Sequence, residues 1–262
     1  MKKLLALLTL FVIQASAEPV LYDGFRPEGA AGDGHVGTLG SWHRMQGEVE
    51  TIKDGIGMPG LSGRKGGLML TKKGEALAEI DVDVSGTYYG SFRMRTSTIT
   101  KDSLLAVVFA GPDLQELTPK TANLSFLVKA WRSDYGAIIS SGKTVLMTEG
   151  APIEAKTPYL VLFKVEDETA ARSVQMWILS QTQVLYHSNR SISEAVLNNA
   201  ALGAFEGGVM QRVRVEPKAG AQLSLSKGDV VACMAKFNPK GVFDEIRISK
   251  DSLQDAAGYL AK

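Results

Sequence analysis

Between residues 79 and 96 the chain alternates between polar and apolar positions. Ile80, Val82 and Val84 oppose Glu79, Asp81 and Asp83, and Phe92 and Met94 oppose Ser91, Arg93 and Arg95. A period of two is what a half-buried β-strand requires, so residues 79–84 and 88–96 are expected as strands. Residues 104–109, 124–130, 159–165 and 174–179 are more uniformly apolar and suit central strands with little exposure. Residues 211–215, 222–225, 230–237 and 243–248 complete the set. Turn residues separate them at short intervals, as in Gly111-Pro112-Asp113, Ser141-Gly142-Lys143 and Asn238-Pro239-Lys240-Gly241. So many strands at this spacing predict an all-β fold, a sandwich of two packed antiparallel sheets. Residues 192–204, with Ser193 as cap, hold the one plausible helix, and two central asparagines leave an edge-crossing loop as the alternative. The glycine-rich opening, 24–67, is expected to wrap the sandwich as loops and short strands. No repeat or linker interrupts residues 18–262, which read as one domain.

Composition places the chain in a compartment. Lys2 and Lys3 precede an apolar stretch from Leu4 to Ile13, and Ala15-Ser16-Ala17 follows as a small-x-small cleavage site. Residues 1–17 therefore read as a signal peptide, too short to span a bilayer, and the mature protein is expected outside the cytoplasm, secreted or periplasmic. No second long apolar run predicts a transmembrane segment. Removal of the two lysines leaves 27 basic against 28 acidic side chains, a balance that does not favour nucleic acid. Cys233 is the single cysteine and sits in the apolar run Val230-Val231-Ala232-Cys233-Met234-Ala235, so it is expected to be a buried, inert thiol.

Three segments carry a family resemblance. Leu21-Tyr22-Asp23-Gly24-Phe25, Tyr88-Tyr89-Gly90-Ser91-Phe92-Arg93-Met94-Arg95 and Phe243-Asp244-Glu245-Ile246-Arg247-Ile248-Ser249 resemble, in order, an opening, an early core and a closing strand. Strands of this kind occur in the concanavalin A-like (laminin-G-like) jelly rolls of secreted planctomycete- and verrucomicrobia-type bacterial proteins. The resemblance implies a jelly-roll sandwich, often an accompaniment to polysaccharide-handling machinery. Since the fold carries no function of its own, activity has to be argued from a site.

Four constellations offer chemistry. Glu79-Ile80-Asp81-Val82-Asp83 resembles the active strand of retaining jelly-roll glycosidases, which implies Glu79 as nucleophile, Asp81 as assisting acid and Asp83 as acid/base. Such chemistry wants carboxyl groups about 5–5.5 Å apart. The last position is Asp where that family has Glu, and a misplacement of about an ångström is costly. A plain solvent face of alternating acids is the preferred reading. Asp23 and Asp244 lie in the opening and closing strands, where the resemblance implies a structural Ca²⁺, with Glu245 and backbone carbonyls as further ligands; ordinary edge acids are the alternative. Trp131, Arg132, Asp134 and Tyr135, and separately Trp42 and Arg44, pair aromatic faces with polar groups suited to a sugar ring, or else cap the core. Arg93 with Arg95, and Arg212 with Arg214, make either a patch for an anionic polysaccharide or solvated strand faces. The expected function is non-catalytic: an exported module binding a polysaccharide or a cell-envelope protein. A retaining endo-acting glycoside hydrolase using Glu79, Asp81 and Asp83, and a purely structural envelope subunit, are the alternatives.

Overall fold

The computed structural model describes residues 20–25, 42–62, 66–99, 103–112, 118, 121–131, 134–140, 144–147, 150–188, 190, 192–217, 219–236 and 240–258. At 43–45, 72, 129–131, 134–140, 144–147 and 236 it describes the backbone alone. The expected signal peptide lies outside these residues.

Among the described residues thirteen strands form one antiparallel sheet that curls into a sandwich. They are β1 (Leu21–Asp23), β2 (His43–Ile52), β3 (Gly67–Glu79), β4 (Tyr88–Thr96), β5 (Leu104–Ala110), β6 (Leu124–Trp131), β7 (Asp134–Ser140), β8 (Thr144–Met147), β9 (Tyr159–Glu168), β10 (Ala171–Ser180), β11 (Gln211–Val215), β12 (Val230–Lys236) and β13 (Gly241–Ser249). One layer runs β11-β10-β9-β4-β13-β3 and the other β3-β12-β5-β6-β7-β8. β3 belongs to both: Leu68 to Leu70 pair with β13, and Glu75 to Glu79 pair with β12. Between these stretches Lys73 adopts a left-handed φ of 61°, and a Cβ on Gly74 would lie 2.6 Å from the Glu48 carbonyl oxygen. The strand turns its corner where only a bare backbone fits.

Alternation explains the core. Phe92, Phe163, Val161, Met176, Val107, Phe126, Cys233 and Phe243 point between the layers, where Phe126 and Phe163 stack with centroids 4.0 Å apart. The opposite face of the first layer carries Leu160, Leu162, Trp177 and Leu179 under residues 56–61 and three helices. The opposite face of β5, β6 and β12 is also buried, through Leu104, Ala106, Val108, Leu127, Ala232 and Met234. Strands covered on both faces need no polar positions, so the uniformly apolar runs are central strands as expected. Cys233 is fully buried, and burial pushes its thiol well up, away from the reactive thiolate.

Four expectations change. β3 ends at Glu79, and residues 80–84 run beside 225–229 through isolated bonds: Ile80 N–H to Asp229 O at 2.7 Å, Gly228 N–H to Ile80 O at 2.8 Å, and a reciprocal Val84–Leu225 bridge. Ile80 and Val84 are buried as their period predicts, but no continuous ladder forms. Residues 222–224 likewise form no strand. The opening 24–67 is not merely loops and short strands, since β2 runs 10 residues within it. The expected helix shortens to α2 (Glu194–Asn199), capped by Ser193, and is joined by α1 (Gln181–Ser188) and α3 (Leu253–Ala257).

Candidate functional site

The three acids of the hydrolase alternative are exposed, and a cation across the loop engages two of them. Lys227 Nζ pairs with Asp81, and the Lys227 backbone N–H donates to Asp83 Oδ1 at 2.8 Å. Asp229 fixes that loop by accepting from Ser226 N–H at 2.8 Å. This arrangement clips residues 80–84 to 226–229 and leaves Asp81 and Asp83 holding a turn.

Asp23 and Asp244 do not meet. Asp23 lies opposite Ile246 in the ladder and shares its core-facing side. It accepts from Trp42 Nε1 at 2.7 Å and from Phe25 N–H at 2.6 Å. Asp244 lies opposite Arg93, on the other face from Met94 and Phe243. Directly opposed residues share a face, so the two carboxylates sit on opposite sides of the layer, and they do not fit a calcium ion held between them. Among the described residues no group of three or more His, Cys, Asp or Glu is gathered for a metal.

Asp244 belongs instead to a buried charged network. Its Oδ2 accepts from Ile56 N–H at 2.7 Å. Arg93 donates to the carbonyls of Ile56, at 3.1 Å, and Ser62. Glu245, held at a φ of 54° where β13 bulges, pairs with Arg247 at 2.9 Å and accepts from the Tyr22 hydroxyl at 3.0 Å. Burial, reinforced by the Glu245 charge, pushes the Asp244 carboxyl up to about 8. Arg93 therefore anchors residues 56–62 to the sheet and is no part of a solvated basic patch. Arg212 is also committed, donating from Nη1 to the carbonyls of Leu197, Asn198 and Ala200 at the end of α2.

Of the expected sugar-binding residues, Trp42 is half buried: its ring packs on Phe25 at 4.9 Å and its N–H is spent on Asp23. Arg44 places its backbone opposite Ala76 in β2. Trp131 and Asp134 face each other at the tip of the β6–β7 hairpin, with Tyr135 opposite Ala130. Arg132 lies outside the described residues.

The helical cap of the first layer presents a cleft that the sequence did not announce. It has a volume of about 490 Å³ and is lined by Tyr89, Ile192, Ser193, Glu194, Ala195, Asn198, Asp251, Ser252 and Leu253. Tyr89 lies at the strand position between core-facing Tyr88 and Gly90, so its half-buried ring points outward as the floor. The first turns of α2 and α3 form the walls. Ser193 Oγ accepts from Val196 N–H at 3.3 Å, and Ser252 Oγ from Asp255 N–H at 3.1 Å, so each wall starts on a capping serine. Trp177 Nε1 donates to Asn198 Oδ1 at 3.1 Å. An indole N–H only donates. The amide is thereby oriented with its carbonyl inward and its NH₂ left for the cleft. Glu194 Oε2 accepts from Lys164 Nζ at 2.6 Å, and the same ammonium meets Glu166 at 2.5 Å. These two partners raise the Lys164 ammonium against the opposing effect of its burial.

No protein-family model matches the chain, and no curated protein matches it. Solved structures of low identity overlap it. One is the carbohydrate-binding module CBM66 from Bacillus subtilis, at 10% identity and TM-score 0.41, covering 81% of this chain and 97% of the other. A second is the lectin UEA-II complexed with galactose, at 8% identity and TM-score 0.44, covering 77% and 98%. A third is domain 4 of AbnA, an extracellular arabinanase of Geobacillus stearothermophilus in complex with arabinotriose, at 10% and 0.45, covering 84% and 89%.

Proposed function

We propose that the protein is an exported, non-catalytic β-sandwich module that binds a saccharide in the cleft between α2 and α3. One observation carries this reading: an outward tyrosine ring floors an open cleft whose walls supply a carboxylate pair, an oriented amide and two capping hydroxyls. A pyranose offers the matching chemistry, with C–H bonds to lay on an aromatic face and hydroxyls to share with planar acceptors and donors. The cleft volume falls within the roughly 300–1,000 Å³ range of small-molecule sites.

Titration calorimetry against a panel of neutral, amino and acidic oligosaccharides tests it. At least one should bind, and Tyr89→Ala should weaken that binding by ~10-fold or more. An inert panel, or binding indifferent to Tyr89→Ala, overturns the cleft as the site. In the second case, loss of binding on Trp131→Ala would move the site to the β6–β7 hairpin tip. The hydrolase alternative makes its own demand: the protein should release reducing ends from a β-glucan, and Glu79→Gln should abolish the release.

A further inference from the structure

We infer that the cleft prefers saccharides carrying free amines over those carrying carboxylates, an inference that rests on the saccharide reading above. Its residues are of one sign. Glu194 and Asp251 line it, and among the described residues no lysine, arginine or histidine does. Lys164 divides itself between Glu166 and Glu194, and Arg214 also acts on Glu166, so the uncompensated carboxylate of the cleft is that of Asp251. Asp251 is exposed at the mouth, and its backbone N–H is taken by Ser249 Oγ at 3.1 Å. No cation pairs with its carboxylate among the described residues. Lys250, its neighbour in sequence, points away to the Ser85 carbonyl. On α3, the Asp255 carboxylate accepts from the Ser252 hydroxyl and adds a further negative charge beside the same wall.

The floor agrees in sign. A tyrosine face attracts a cation through its quadrupole, so an ammonium laid over Tyr89 gains where a carboxylate would be repelled. An amino sugar can thus set its ring or its ammonium on Tyr89 and direct its charge toward Asp251. A uronate meets the same two carboxylates with like charge. Because the mouth is open to water, the preference is of the size an exposed ion pair supplies, ~3–5-fold, and salt screens it.

The experiment compares three tetrasaccharides at pH 6 by calorimetry: glucosamine, its N-acetylated counterpart and a uronate. The expected order of affinity is amine, N-acetyl, uronate, with the amine-to-N-acetyl ratio shrinking between 50 mM and 500 mM salt. Asp251→Asn should bring that ratio to about one, with an unchanged melting temperature as the folding control. Equal affinity for amine and uronate overturns the inference while leaving the saccharide reading intact, as does a ratio that ignores Asp251→Asn. If none of the three binds, the inference falls, and the saccharide reading is decided separately by the wider panel.

Discussion

Single residues set the pH response of this molecule. Asp244 keeps its proton up to about 8 in the folded protein, against about 3.9 in an unfolded chain. Between those values the native state holds a proton that the unfolded state has released, so stability falls as pH rises from about 4 to about 8. Asp244→Asn keeps an acceptor for the Ile56 N–H and removes the titration. The variant should gain on the parent by about 1 kcal/mol or more between pH 5 and pH 8, or ~2–4 °C in melting temperature. Parallel urea-midpoint profiles would exclude this origin. His187 acts in the opposite direction. Burial lowers its affinity for a proton, and its Nε2 meets the Gly208 carbonyl at 3.2 Å. The unfolded chain therefore protonates first, and stability falls as pH drops below about 6.5. Gly90 shows how tightly one position is specified, since a Cβ there would sit 2.0 Å from the Phe163 ring. That ring is pinned by its stack on Phe126, so Gly90→Ala should cost about 1–3 kcal/mol by chemical denaturation.

At the scale of elements, the strands were legible and the helices mostly were not. The apolar runs and the alternating segment 88–96 formed as strands, because the buried faces of each layer impose that pattern directly, whereas residues 79–84, with the same period, gained only isolated bridges. α1 escaped because its buried positions include Gln183 and His187, polar residues that erase the apolar stripe. Each is reconciled with burial by bonding: Gln183 donates to the carbonyls of Gly203 and Phe205, and His187 meets Gly208. α3 did carry a signal, in Ser252 as cap and in Gly258, which ends the helix at a φ of 71°. The candidate cleft was invisible for a simpler reason. Its walls come from residues 192–198 and 251–253 and its floor from residue 89, and no local pattern links the three. Arg212 reads as a surface charge in sequence yet ends α2. Arg212→Ala should speed amide exchange at residues 194–200 and weaken the saccharide binding proposed for the cleft several-fold. Lysine should rescue it in part, because all three bonds leave one nitrogen, Nη1, and an ammonium carries three donors.

The whole molecule is tied together by shared strands. β3 serves both layers, so neither layer can be removed without opening the other. Tryptophan fluorescence and far-UV dichroism should report one coincident urea transition, and two separated transitions would contradict that coupling. Gly74→Val should lower that midpoint sharply by forcing a side chain against the Glu48 carbonyl. β13 goes further. It fills the seat between β4 on one edge and β1 and β3 on the other, and it is the last of the thirteen described strands. β1 finds its ladder there, with Leu21, Tyr22 and Asp23 opposite Ile248, Arg247 and Ile246. The first strand of the sheet and the thirteenth are thus one fastening: losing β1 would bare an edge of β13, and losing β13 would part β4 from β3 and leave β1 without a ladder.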